Sequence, residues 1–155
     1  MLTTDRVYRA FYADYQSMSA FLHSHSYTGN ALACRAALAT IEIFRRHNTI
    51  EKNRSLADSM AKAALRFHDH PHVAEVRQTG MILAIELVKN KQSREPYPWQ
   101  ERRGLKVYQY ALSKGVLLRP LGNVIYFMPP YVVTEEELLL IAEVAWQGIQ
   151  LAVKD

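Results

Sequence analysis

Val73-Ala74-Glu75-Val76-Arg77-Gln78-Thr79-Gly80-Met81-Ile82-Leu83-Ala84-Ile85-Glu86-Leu87-Val88 reads as two strands, 73–79 and 81–88, that meet at Gly80. Val73, Ile82, Ile85, Leu87 and Val88 favour extended backbone, and a glycine permits the sharp bend between the two runs. Downstream, Asn90 to Pro98 is a polar, proline-containing loop, and a helix follows to about Ser113, closed by Lys114-Gly115. Val116–Arg119 and Val124–Met128 are short strands; Leu121-Gly122-Asn123 lets them pair as a hairpin, and Pro129-Pro130 ends the second. Thr134 with Glu137 forms a capping box for a last helix, with Leu138, Ile141, Ala145, Ile149 and Ala152 as its apolar stripe.

Upstream the pattern is helical. Thr4 is placed to cap a short helix to about Tyr12, and residues 15 to 29 form an irregular Ser/His/Gly/Tyr loop. Asn30 is placed to cap a helix through about Arg46. That helix is apolar on most sides (Leu32, Ala33, Cys34, Ala36, Ala37, Leu38, Ile41, Ile43, Phe44), which predicts burial between other elements. Thr49 opens another helix, with Leu56, Met60, Ala63 and Phe67 at helical spacing and Pro71 as its stop. The order predicts an α+β fold: a small, mainly antiparallel sheet covered by helices. The first helix and its loop, residues 1–29, read as the tail of something else, and 30–155 as the domain proper.

The 155 residues suffice for one domain with its own core. With 49% hydrophobic and 22% charged residues, the composition is globular rather than disordered. No apolar run is long enough for a bilayer, and Met1 to Arg6 lacks the apolar stretch of a signal peptide. A single cysteine, Cys34, fits a reducing compartment, so a cytoplasmic address is expected. The formal charge of +4 is scattered (Arg45-Arg46, Lys52, Lys62, Lys89, Lys91, Arg102-Arg103) rather than gathered in a stripe. It reads as solvated helix faces and loops, and neither a nucleic acid nor a membrane is expected as partner.

Two segments carry chemistry. His23-Ser24-His25-Ser26-Tyr27-Thr28-Gly29-Asn30 places hydroxyls and glycine before a helix N-terminus, an arrangement that suits an anion; spacing alone favours an ordinary capped loop. In Arg119 to Tyr131, an arginine at a strand end beside a glycine turn suits a carboxylate. Tyr126 lies in a strand whose neighbours Ile125 and Phe127 point to the other face. A surface salt bridge and a half-buried tyrosine fit the same residues. His68-Asp69-His70-Pro71-His72 lacks the further ligands of a zinc site and reads as a solvated helix-end loop; no metal is expected. Cys34, near His23 and His25 in sequence, reads as a core residue, and Tyr97 and Trp99 as loop packing rather than stacking platforms for bases.

Taken together, Ser26-Tyr27-Thr28-Gly29-Asn30, the strand pair Val76 to Leu87 and Gly115-Val116-Leu117-Leu118-Arg119-Pro120 resemble three ordered motifs of the class III pyridoxal-phosphate (PLP)-dependent aminotransferases. The likeness covers nearly the whole chain, and Arg119 to Tyr131 leans it towards the members that serve biotin biosynthesis. The resemblance implies the small C-terminal domain of a fold-type I PLP-dependent transferase. It also implies a homodimeric enzyme that moves an amino group to 7-keto-8-aminopelargonic acid, from S-adenosylmethionine or, in some relatives, lysine. Tyr126 leans the donor towards S-adenosylmethionine. Residue by residue, Ser26 matches a hydroxyl, more often Thr, that donates to the cofactor phosphate of the neighbouring subunit. Ser24 and His25 line the same edge. Arg119 matches the arginine that pairs with the keto substrate's carboxylate, and Tyr126 a tyrosine near substrate and donor. Asn30-Ala31 replaces a common Asn-Pro. The Schiff-base lysine has no match: it is expected shortly before a segment like Leu2 to Tyr8, and Lys52, Lys62, Lys89, Lys91, Lys106, Lys114 and Lys154 sit in other contexts. The chain is therefore expected to be inactive alone, as part of a longer enzyme. The alternative is a non-catalytic small domain that assembles with a separate large domain or with itself.

Overall fold

The computed structural model describes residues 3–21 and 28–154. By its contacts the chain forms two compact units, residues 1–43 and 44–155.

The first unit holds α1 (Asp5–Phe11), a single 3-10 turn at Tyr15–Ser17 and the start of α2 (Ala31–His47). Thr4 occupies the N-cap of α1 in extended conformation, but its side chain makes no cap hydrogen bond, contrary to expectation. Tyr8 stacks on Tyr12 and Phe11 meets Phe21, each pair with ring centroids 5.4 Å apart. Asn30 does cap α2: its Oδ1 accepts from the Ala33 amide at 2.9 Å. The expected burial of α2 is not found. None of its residues is buried, and Cys34 is exposed rather than a core thiol. An all-round apolar helix needs cover on several sides, and the described residues do not supply it.

The second unit is a sheet with helices. After α3 (Thr49–Ala63) come β1 (Val73–Thr79), β2 (Ile82–Asn90) and a two-residue β3 (Glu95–Pro96). They are followed by α4 (Arg103–Ser113), β4 (Arg119–Leu121), β5 (Val124–Phe127) and α5 (Glu135–Ala152). The strands run in the order β1-β2-β5-β4, all antiparallel, and β3 pairs with β2 off this path. β3 lies in what reads as a loop; two residues leave no periodicity. The α-helix also ends earlier than Pro71 requires, passing at Leu65 into a 3-10 turn that runs to Asp69. Val116 to Leu118 approach the sheet as coil, so β4 begins only at Arg119.

One face of the sheet is the core. Leu83, Ile85, Leu87, Ile125 and Phe127 pack with Met60 of α3, Val107 and Ala111 of α4, and Leu138, Ala145 and Ile149 of α5. Phe67, fully buried, stands edge-on to Phe127 and beside Trp146. The expected capping box is present: Thr134 Oγ1 accepts from the Glu137 amide at 3.2 Å, and Glu137 Oε2 from the Thr134 amide at 2.8 Å. Among the described residues no helix is long and apolar enough to cross a membrane.

Candidate functional site

The other face of the sheet carries the candidate site. Residues directly opposite on paired strands share a face, so the register can be followed across the sheet. Arg77 pairs with Ala84, Ala84 with Tyr126, and Tyr126 with Arg119. These four side chains form one row across the outer face. Glu75, Glu86, Val124 and Leu121 form the next. The alternation read from the sequence holds: Ile125 and Phe127 are buried, and Tyr126 between them is half-buried on the opposite side.

The two arginines of the row differ in state. Arg77 Nη1 is clasped by Glu86 Oε2 at 2.6 Å and Glu75 Oε2 at 3.0 Å, so its charge is already answered. Arg119 is exposed on the edge strand β4, and neither it nor Tyr126 has a polar side-chain partner among the described residues. A guanidinium fork with no internal carboxylate, flanked by a phenol, can take a carboxylate in two parallel hydrogen bonds. The apolar stems of Leu117 and Leu121, both exposed and two residues away on either side, would line an aliphatic chain attached to it.

The hairpin that presents Arg119 is tightly held. Leu121 pairs with Val124, leaving the two-residue turn Gly122-Asn123 with Gly122 at φ +60°. A glycine at the first turn position matches a II′ hairpin turn. Asn123 Nδ2 donates to the Tyr97 carbonyl at 2.8 Å, and the Leu87 amide donates to the Asn123 carbonyl at 2.9 Å. A Cβ at position 104, in the first turn of α4, would lie 2.3 Å from the Gly122 carbonyl oxygen, so only glycine fits there. The turn at Gly122-Asn123 is legible in the sequence; its anchors at Tyr97, Leu87 and Gly104 are not, and the one available signal is a glycine inside a helix.

Other expected features fall elsewhere. Ser24, His25 and Ser26 lie outside the described residues. The histidine run is not a solvated loop throughout: His70 is buried, edge-on to Trp146. Its Nδ1 accepts from the His72 amide at 3.1 Å, and the Gln150 side-chain amide lies 3.2 Å from Nε2. Burial first, then the neighbouring His72 and Lys91, hold its pKa below the usual imidazole value. Among the described residues no group of three His, Cys, Asp or Glu side chains could hold a metal. Tyr97 is buried as a packing residue, under the Arg103 guanidinium at 4.7 Å. A groove of about 450 Å³ runs between Val116–Leu118, Met128–Val133 and the start of α5. Its lining is apolar except for Glu137, whose carboxylate serves the capping box, so no polar groups converge in it.

The described residues do not build a PLP cage. Lys91 donates to the backbone carbonyls of His68 and His70, Lys89 pairs with Glu95 at 3.4 Å, and Lys114 lies over Tyr110. No lysine stands beside Arg119 and Tyr126 in the sheet row.

Comparison with known proteins gives a consistent family. The family described as aminotransferase class-III matches residues 1–147. An adenosylmethionine-8-amino-7-oxononanoate aminotransferase of Anoxybacillus flavithermus is 48% identical over 137 residues, which is 88% of this chain and 30% of that protein. The crystal structure of the enzyme of the same name from Methanocaldococcus jannaschii superposes with a TM-score of 0.86 at 38% identity, covering 96% of this chain and 34% of that one. A PMP-bound aminotransferase from Vibrio fluvialis, 23% identical, shares the fold with a TM-score of 0.79 over 88% of this chain and 30% of its own. The chain thus spans about a third of the length of the relatives it matches.

Proposed function

Because this chain belongs to the class III aminotransferases, we propose that it is the C-terminal part of a PLP-dependent aminotransferase of biotin biosynthesis, and that its share of the work is to grip the keto substrate. On this reading residues 1–29 end the large cofactor-binding domain, and 30–155 form the small domain with its connecting helix. The complete enzyme is a cytoplasmic homodimer. It transfers an amino group to 7-keto-8-aminopelargonic acid, with S-adenosylmethionine as donor, in keeping with the names of the relatives.

The observation that carries the reading is the contrast between Arg77, saturated by two carboxylates, and Arg119, which has none and stands beside Tyr126. Arg119 holds the substrate carboxylate and Tyr126 borders the chain that leads from it. Ser24, His25 and Ser26 are the residues assigned to the edge of the cofactor phosphate. No step of amino transfer is assigned to a lysine of this chain, which is expected to be inactive alone.

Two experiments test this. Incubation of the purified chain with PLP and then borohydride is expected to leave no lysine labelled stoichiometrically; one such lysine, with turnover, would overturn the inactive-alone reading. In the complete enzyme, Arg119→Ala is expected to raise KM for the keto acid roughly a hundredfold, since a carboxylate loses its charged partner. KM for the amino donor should hardly change. Equal losses for both substrates would make Arg119 structural.

A further inference from the structure

Arg119 reaches its position without help from its own side chain. It is exposed, it has no polar partner among the described residues, and β4, its strand, is three residues long and at the edge of the sheet. On such a strand the backbone fixes where a long flexible side chain begins and from which face it leaves. What fixes that backbone is the turn at Gly122-Asn123, seized from three sides. α4 presses on it through Gly104, where even a methyl group would meet the Gly122 carbonyl at 2.3 Å and Pro120 Cβ at 3.0 Å. The segment before α4 holds it through the Asn123 amide on the Tyr97 carbonyl. β2 holds it through the Leu87 amide on the Asn123 carbonyl. Tyr97 is itself immobilised: it is buried, its hydroxyl lies 2.9 Å from His72 Nδ1, and the Arg103 guanidinium covers its ring.

We propose that Asn123 and Gly104 are positioning residues for the carboxylate grip, acting through the hairpin turn to aim the Arg119 guanidinium. The proposal rests on the reading of Arg119 as a carboxylate-binding group. Asn123 supplies the directional bond: only its amide N–H₂ can donate to the Tyr97 carbonyl. An aspartate of the same shape would face that carbonyl with a second acceptor and open the turn. Gly104 supplies the steric seat: an alanine would push α4 and the turn apart, and β4 with them. In either case the guanidinium stays on the chain and is carried out of line with Tyr126. A bidentate contact is sensitive to such displacement, because both of its hydrogen bonds depend on one plane.

The test uses the whole 155-residue chain, nonanoate as a nine-carbon carboxylate probe, calorimetric titration as the affinity readout for every variant, and the NMR signal of the Arg119 Nε–H group wherever Arg119 is retained. Titration of the wild type is expected to move that signal to saturation, and Arg119→Ala should abolish the saturable binding. Asn123→Asp is expected to weaken nonanoate on the order of tenfold, the worth of about one good hydrogen bond. Asn123→Gln, which keeps the donor, should recover part of the loss. Gly104→Ala gives an independent second variant if Asn123→Asp does not fold, and thermal melts separate lost fold from lost aim. A purely structural role would lower the melting temperature and leave the affinity unchanged well below it. Variants that are folded and bind nonanoate like the wild type, while Arg119→Ala does not bind, would overturn the positioning proposal alone. Wild-type binding by Arg119→Ala would instead remove the reading on which it rests.

Discussion

Arg103 offers the sharpest test of how this domain is closed. It sits at the start of α4 and is 6% exposed. Its Nε donates to Glu101 Oε2 at 2.6 Å, and its Nη1 to the carbonyls of Ala152 and Lys154 at 2.6 and 3.1 Å. One side chain thus ties the beginning of α4 to the end of α5, where unpaired carbonyls and the helix dipole both favour a cation. Arg103→Met keeps an apolar stem of similar length and removes every one of these bonds. Breaking a buried charged contact costs about 3–5 kcal/mol. Because the Glu101 side chain is 34% exposed and recovers some solvation, the lower end applies, roughly 3 kcal/mol. For a unit spanning residues 44–155 that corresponds to a fall in Tm of roughly 12–20 °C. Arg103→Lys should recover only part, since an ammonium cannot serve Glu101 and two carbonyls with one fixed fork. Urea unfolding followed by circular dichroism and by Trp146 fluorescence measures the loss. A cost under about 1 kcal/mol, or full rescue by lysine, would refute the view that this residue closes the domain.

Two further outcomes follow from other features. His70 is held neutral by burial, so the unfolded chain takes up its proton first; stability should be full above the ordinary imidazole pKa of about 6.5 and fall as pH drops through the lower folded value. The urea midpoint should therefore decline between pH 7.5 and 5, approximate bounds that bracket this titration, and His70→Gln should flatten that decline; an unchanged slope in the variant would assign it to another group. The apolar side chains of α2 (Leu32, Leu38, Ile41 and Ile43 all lie exposed) should drive self-association of the isolated chain. Light scattering with hydrophobic-dye binding reads this, Ile41→Lys should reduce both signals, and a dye-silent monomer at high concentration would contradict it.

The features legible in the sequence are those set by neighbours along the chain. Thr134 and Glu137 are three residues apart and cap α5 as their types require. Gly80, Gly115 and Gly122 stand at positive φ where turns were read. The alternation of Ile125, Tyr126 and Phe127 alone put Tyr126 on the outer face. What escaped depends on residues far apart. His68 to His72 looks polar, yet His70 is buried because Trp146 and Gln150, in the last helix, close over it. Gly104 looks like a weak point in α4, yet it is the seat of a turn some twenty residues later. The expected burial of α2 failed for the converse reason: apolar residues on every side state a need for cover without saying which elements supply it. The candidate site divides along the same line. Arg119 and Tyr126 could be named from their local setting, but the distinction that makes Arg119 the available arginine is that Glu75 and Glu86 already hold Arg77. The cross-strand half of that clasp depends on the register of β1 against β2, and a shift by one residue would turn Arg77, together with Glu75, to the opposite face and release Glu86.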